Sequence, residues 1–178
     1  MNAERKIVLV GLMGTGKSTV ANLLGARLGG PAADTDDLVE KVQGKTVREI
    51  FESDGEDAFR ASETAALEGA LSSHAAVIAA AGGIVVRDSN REMLNRERSA
   101  GRVFVVWLKG SPSTLARRAA SGGHRPLLDD GAETVLTRLE AERSPLYAEV
   151  SDGSVETEGK SAAEVTEEVL ALVSGLSR

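Results

Sequence analysis

The segment that most constrains this chain is Gly11-Leu12-Met13-Gly14-Thr15-Gly16-Lys17-Ser18, which satisfies the pattern G-x-x-x-x-G-K-[ST] without a mismatch. The residues around it supply the context that such a pattern needs. Ile7–Val10 is an apolar, β-branched run that reads as a buried strand. From Lys17 to Leu28 the apolar positions Val20, Leu23, Leu24 and Leu28 recur at helical spacing until Gly29-Gly30-Pro31 stops them. A glycine-rich turn between a strand and a helix lets successive backbone N–H groups, here Gly14 to Ser18, converge on phosphate oxygens, and the helix N-terminus adds partial positive charge. Lys17 is placed to reach the β- and γ-phosphates of a nucleotide, and the Ser18 hydroxyl to ligate Mg²⁺. A ligand-free turn would have no use for Lys followed by Ser at this offset.

The rest of the chain reads as the same kind of alternation. Ala32–Asp36 is a short segment ending in an acidic cluster. Helical stretches follow over Thr46–Ser53 and Glu56–Leu71, parted at Asp54-Gly55, and then a strand over Ala76–Ala80, closed by Gly82-Gly83. Asn90–Ser99 is a charged helix and Val103–Leu108 a strong strand. Ser111-Pro112 opens a helix to about Ala120, with serine as cap and proline in the first turn. Ser121–Ala132 is a glycine-rich loop, Glu133–Arg143 a helix, Ser154–Thr157 a last strand, and Ala162–Val173 a terminal amphipathic helix. Strands that are apolar throughout, interleaved with helices, predict an α/β domain with a parallel sheet covered on both faces.

Composition narrows the function. The chain has 178 residues, the length of one domain, and a net charge of −6, which argues against a nucleic-acid binder. It has no cysteine, so disulfides, thiolate metal sites and cysteine nucleophiles are excluded. The longest apolar stretch, Ala75–Val86, is too short to span a membrane, and no export leader is evident, so a cytoplasmic location is expected. Among nucleotide-binding classes, motors and GTPases usually carry an acidic residue at the end of a second apolar strand. Here those strands end in Ala81-Gly82-Gly83 and Lys109, and no Asn-Lys-x-Asp guanine reader occurs. The early acidic group Asp34-Thr35-Asp36 favours a small-molecule kinase.

These residues, with Phe59-Arg60-x-x-Glu63, Gly82-Gly83, Arg125-Pro126-Leu127-Leu128 and Arg143-x-Pro145-Leu146-Tyr147, closely resemble the shikimate kinase family in kind and order over roughly residues 5 to 150. The resemblance implies a P-loop NTPase fold of five parallel strands flanked by helices, with a mobile lid over about residues 121–132. It implies ATP-dependent phosphorylation of shikimate to shikimate 3-phosphate, on the route to chorismate and the aromatic amino acids, with Mg²⁺ as cofactor. Catalysis would rest on Lys17, Asp36 and Arg125. Asp36 would accept a hydrogen bond from the attacking hydroxyl and act as base or orienting group, and Asp34 would hold Mg²⁺ with Ser18. Arg60 and Arg143 would grip the substrate carboxylate, to which a planar fork pairs bidentately. Glu63 would orient Arg60, and Gly82 and Gly83 would offer backbone N–H groups. Thr19 joins Gly14, Thr15, Gly16, Lys17 and Ser18 around ATP, and Arg117 and Arg118 would flank adenine. A monomer is expected.

The chain departs from the family pattern in two places. Ala81 stands where the family usually has the first of three glycines, and Glu158-Gly159-Lys160 lacks an arginine often found near adenine. Two rival readings share the architecture: a kinase for another carboxylated polyol such as gluconate, and a non-catalytic nucleotide-binding regulator.

Overall fold

A computed structural model describes residues 5–120 and 131–175. The apolar runs pair as parallel strands β1 (Lys6–Val10), β2 (Ala32–Asp34), β3 (Val77–Ala79), β4 (Val103–Lys109) and β5 (Gly153–Glu156), in the order β2-β3-β1-β4-β5. Strand β1 is central. Its Ile7 lies opposite Val77 on one side and Phe104 on the other. Successive strand residues point to opposite faces, and both faces are covered. Val8 and Val10 enter one core with Ile78, Val105, Leu136 and Tyr147, while Ile7 and Leu9 enter the other with Leu24, Phe104, Val165 and Val169. This is why the strands carry no polar alternation.

The connecting helices are α1 (Lys17–Leu28), α2 (Thr35–Gln43), α3 (Val47–Ser72), α4 (Asp88–Ser99), α5 (Pro112–Ala120), α6 (Ala132–Val150) and α7 (Ala162–Gly175). None of these is long and apolar enough to cross a membrane. Three features differ from the sequence expectation. The short segment Ala32–Asp36 divides into β2 and the start of α2 at Thr35, a helix not expected from the sequence. Asp34 caps that helix by accepting from Asp36 N–H at 2.9 Å, and the acidic cluster fills its first turn. Asp residues there complement the helix dipole, a start signal not used in reading the sequence. Residues 84–86 form a 3₁₀ turn. Helix α6, expected to stop at Arg143, runs through Pro145 to Val150. A proline inside a helix costs about 3 kcal/mol. Burying Tyr147 and Val150 beyond it returns roughly 1.5–3 kcal/mol each.

Helix α3 breaks at Gly55 (φ 84°, ψ 173°), at the predicted parting point, after a capping box formed by Thr46 and Glu49. Around this break a third, small core packs Val39, Ile50 and Phe59 against Val47, Phe51 and Ala66. Further along, α3 joins the main sheet core through Leu67 and Ala70. Because every strand is parallel, the C-terminal ends of β1, β2, β3 and β4 share one edge. The chain leaves β1's two sides in opposite directions there, the position where open α/β sheets form a ligand crevice.

Candidate functional site

The loop after β1 takes a shape that its glycines permit. Gly11 has φ 142° and packs so closely on β4 that a Cβ would lie 2.3 Å from the Leu108 carbonyl oxygen. Gly14 (φ 84°) and Gly16 (φ 88°) are left-handed, and Gly16 is the N-cap of α1 with no side chain to cover the first-turn N–H groups. Thr15 is buried and donates to the Leu12 carbonyl at 2.8 Å, a fixed support of the loop. Lys17 Nζ donates to the carbonyls of Gly11 (2.8 Å) and Leu12 (2.9 Å), which holds its charge against the loop. Thr19 lies in the exposed first turn of α1.

Strand β2 delivers the acidic group beside this loop. The Ser18 hydroxyl donates to Asp34 Oδ2, so a hydroxyl and a carboxylate meet there. These are hard oxygen donors of the kind Mg²⁺ takes in small number alongside substrate phosphates. Among the described residues, no cluster of three or more acidic or histidine ligands forms a metal cage. Asp36 is exposed in the first turn of α2. Its pKa is pushed up to about 6, first by partial removal from water, then by the Asp34 and Glu63 carboxylates, against the pull of Lys17. Between the two acids, fully buried Thr35 accepts a 2.8 Å hydrogen bond at Oγ1 from Ala81 N–H, which ties this segment to the end of β3.

That end of β3 is the turn Ala81-Gly82-Gly83. No non-glycine residue among those described has positive φ, so Ala81 sits there without strain. Gly83 is also ordinary at φ −88° and ψ −2°. What requires glycine at Gly83 is space, because a Cβ would lie 2.0 Å from Arg60 Nη1. Arg143 Nη1 approaches the Cβ position of Gly82 to 3.8 Å. Both arginines therefore converge on the glycine pair, one from α3 and one from α6. Arg60 is anchored by Glu63 (2.7 Å, one turn along α3) and Glu56 (3.3 Å), and its ring neighbour Phe59 lies beneath the guanidinium. Glu63 is 1% exposed, and burial raises its pKa against the pull of Arg60, Arg143 and Arg87. Arg143, expected near a helix end, is 7% exposed inside α6.

Helix α5 carries the remaining candidates. Arg118 donates to Thr157 O (2.8 Å), Thr157 Oγ1 (3.1 Å) and Gly14 O (3.4 Å), which links the phosphate loop to the segment after β5. Arg117 donates to Thr114 Oγ1 (2.9 Å), and Thr114 in turn donates to Glu158 (2.7 Å). The place of the missing arginine is thus taken by a carboxylate–hydroxyl cluster. Arg125, the Arg-Pro-Leu-Leu segment and residues 121–130 of the lid expected over about 121–132 lie outside the described residues. A cavity of about 380 Å³ opens nearby between Trp107, Leu115, Tyr147 and Glu158. It touches Leu12 and Thr15 but none of Lys17, Asp34, Asp36 or Arg60, so the reactive groups are not centred on it.

The sequence reading passed over two contacts, Thr35 to Ala81 and the 2.6 Å hydrogen bond from the Tyr147 hydroxyl to Gly82 O. The signal available for Tyr147 was its place four residues after Arg143, on the same helix face.

Comparison with known proteins bears on the identity of this site. The family model for shikimate kinase matches residues 13–174. A shikimate kinase of Symbiobacterium thermophilum is 42% identical over 92% of this chain and 93% of its own length. One of Chromohalobacter salexigens is 41% identical over 96% and 93%. Among solved structures, a shikimate kinase from Acinetobacter baumannii in complex with shikimate superposes with a TM-score of 0.90 at 35% identity, over 97% of this chain and 94% of that one. A gluconokinase from Sinorhizobium meliloti, at TM-score 0.61 and 24% identity, shares the fold alone.

Proposed function

The chain belongs to the shikimate kinase family and catalyses ATP-dependent phosphorylation of shikimate, and on that premise we propose how its residues divide the work. The observation that carries the assignment is the convergence of Arg60 and Arg143 on the Gly82-Gly83 turn, with Glu63 fixing Arg60. Two guanidinium forks beside free backbone donors suit a carboxylate, and they orient the ring of a carboxylated cyclitol from that end. Asp36 then accepts a hydrogen bond from the attacking hydroxyl. In a loose phosphoryl-transfer transition state its chief contribution is alignment, and its raised pKa suits it to take the proton as the new P–O bond forms.

Backbone N–H groups from Gly14 to Ser18 cradle the phosphates, Lys17 leaves the loop carbonyls to pair with the β- and γ-phosphates, and Thr19 extends the cradle along the first turn. Arg117 and Arg118 border adenine, and Arg125 neutralises charge on the transferred group. Mg²⁺ fits the Ser18 hydroxyl and the Asp34 carboxylate, which would hold it together with phosphate oxygens; when bound, it supplies charge neutralisation at those oxygens. The protein acts as a cytoplasmic monomer of one domain.

Coupled ADP release with Mg-ATP, measured against shikimate, quinate, gluconate and nucleoside monophosphates, tests the reading. Turnover is expected with shikimate far above the rest. No turnover with shikimate, or equal turnover with gluconate, refutes it.

A further inference from the structure

The Gly82-Gly83 turn presents its N–H groups in a direction that the turn itself does not enforce. A trans peptide is planar, with N–H and C=O opposed, so holding the carbonyl of one residue fixes where the next N–H points. The Ala81 carbonyl accepts from Ile84 N–H at 3.0 Å, which sets the Gly82 N–H from within the turn. The Gly82 carbonyl has no such local partner. It accepts instead from the Tyr147 hydroxyl at 2.6 Å, across 65 positions of sequence. Among the described residues, neither the Gly82 nor the Gly83 N–H donates to a protein acceptor. A Gly-Gly peptide has no Cβ on either side to resist rotation, so it reorients more readily than any other.

We infer that the Tyr147 hydroxyl is a lock on the Gly82-Gly83 peptide, a positioning group that keeps the Gly83 N–H directed at the substrate carboxylate beside Arg60. The inference rests on the placement of that carboxylate given above. The geometry suits the task. Tyr147 is 1% exposed, its ring packs on Trp107 with centroids 5.6 Å apart, and it stands one helical turn from Arg143. The Arg143 guanidinium acts on the hydroxyl as a nearby positive charge. That oxygen has one proton to give, a guanidinium cannot accept it, and it goes to Gly82 O. Burial pushes the Tyr147 pKa up to about 12, so the hydroxyl remains a donor throughout the working range. The same helix turn therefore binds the carboxylate through Arg143 and sets the peptide that meets it through Tyr147.

Tyr147→Phe removes the hydroxyl and keeps the ring. The expected result is a rise in KM for shikimate of about 5- to 30-fold, the range for removing one hydrogen bond to a buried acceptor, with kcat and KM for ATP within about twofold. An unchanged KM for shikimate overturns the lock. Parallel losses in kcat and in both KM values also overturn it, because they mark a merely structural role. Arg60→Met is measured alongside. If it leaves KM for shikimate unchanged, the carboxylate placement fails and the inference with it; if only Tyr147→Phe is silent, the placement stands and the lock alone fails. Should Tyr147→Phe not fold, amide exchange at Gly83 in the unaltered protein decides. Protection that requires shikimate supports the lock, and protection without shikimate shows the N–H already bonded and refutes it.

Discussion

Replacing Gly83 by alanine tests where Arg60 stands and what it binds from there. Alanine accepts φ −88° and ψ −2° without penalty, so the backbone has no reason to move. The new methyl, however, would stand 2.0 Å from Arg60 Nη1 and 3.0 Å from Cζ. Ordinary contact requires about 3.5 Å or more, so the guanidinium must retreat by about 1.5 Å. It is the far end of a flexible side chain with one exposed partner, Glu56, but Nη1 is also the atom that Glu63, 1% exposed, holds at 2.7 Å, so the retreat loosens a buried ion pair and costs the fold stability as well. A displacement of that size takes Arg60 out of hydrogen-bond reach of the carboxylate, and a hydrogen bond to a charged group contributes roughly 1.5–3 kcal/mol. KM for shikimate should therefore rise about 10- to 150-fold, with KM for ATP unchanged and the melting temperature lowered as the Glu63 contact loosens. Steady-state ADP release against shikimate and a thermal melt together give the answer. If Gly83→Ala keeps its affinity for shikimate, Arg60 does not bind the carboxylate from where the structure places it; if it melts as the parent does, Arg60 has not been pushed from Glu63 and the reasoning is wrong.

Three further outcomes follow from the structure. With the Asp36 pKa raised to about 6, kcat/KM for shikimate should fall below about pH 6 as the carboxylate protonates and stops accepting from the hydroxyl, and Glu63→Gln should move that limb to lower pH; a limb that Glu63→Gln leaves in place removes Glu63 from the cause. Because folding raises this carboxylate's pKa, its ionisation opposes folding, and stability should decline as pH climbs from 3.8 towards 6, which pH-dependent melts of Asp36→Asn against the parent would isolate. Gly11→Ala should cost the fold roughly 2–5 kcal/mol, since a Cβ at φ 142° meets the Leu108 carbonyl oxygen at 2.3 Å and backbone on both sides must yield; urea titration measures it, and a loss under 1 kcal/mol would show that the loop adapts.

How far the sequence carried depended on whether chemistry was local. Strand β1, the phosphate loop and α1 were legible because strand, glycines and helix start are contiguous and each obeys a rule of its own. The parting of α3 at Asp54-Gly55 was legible for the same reason. The start of α2 was missed because one acidic cluster serves two purposes, and only the geometry shows Asp34 capping a helix while it meets Ser18. The continuation of α6 past Pro145 was missed because a local breaker lost to the burial of Tyr147 and Val150, which depends on the sheet face it packs against. Gly82 and Gly83 were legible as a pair, but the need for glycine at Gly83, room for a guanidinium that arrives from α3, was not. The contacts from Thr35 to Ala81 and from Tyr147 to Gly82 join residues 46 and 65 positions apart, and no periodicity announces such pairs.

The small core of Val39, Ile50 and Phe59 has a bearing on where the protein opens first. A cluster with three fully sequestered apolar side chains holds far less in reserve than either face of the sheet, so α2 and the first half of α3 form a unit whose local unfolding costs less than unfolding the whole. Arg60 rides on the end of that unit, next to Phe59, whereas Arg143 belongs to α6 and the main core. A ligand gripped by both arginines is therefore a strut between a weak region and a strong one. Its binding energy is felt unevenly across the molecule, as slowed exchange of α2 and early α3, while the sheet, already at the ceiling set by global unfolding, registers little.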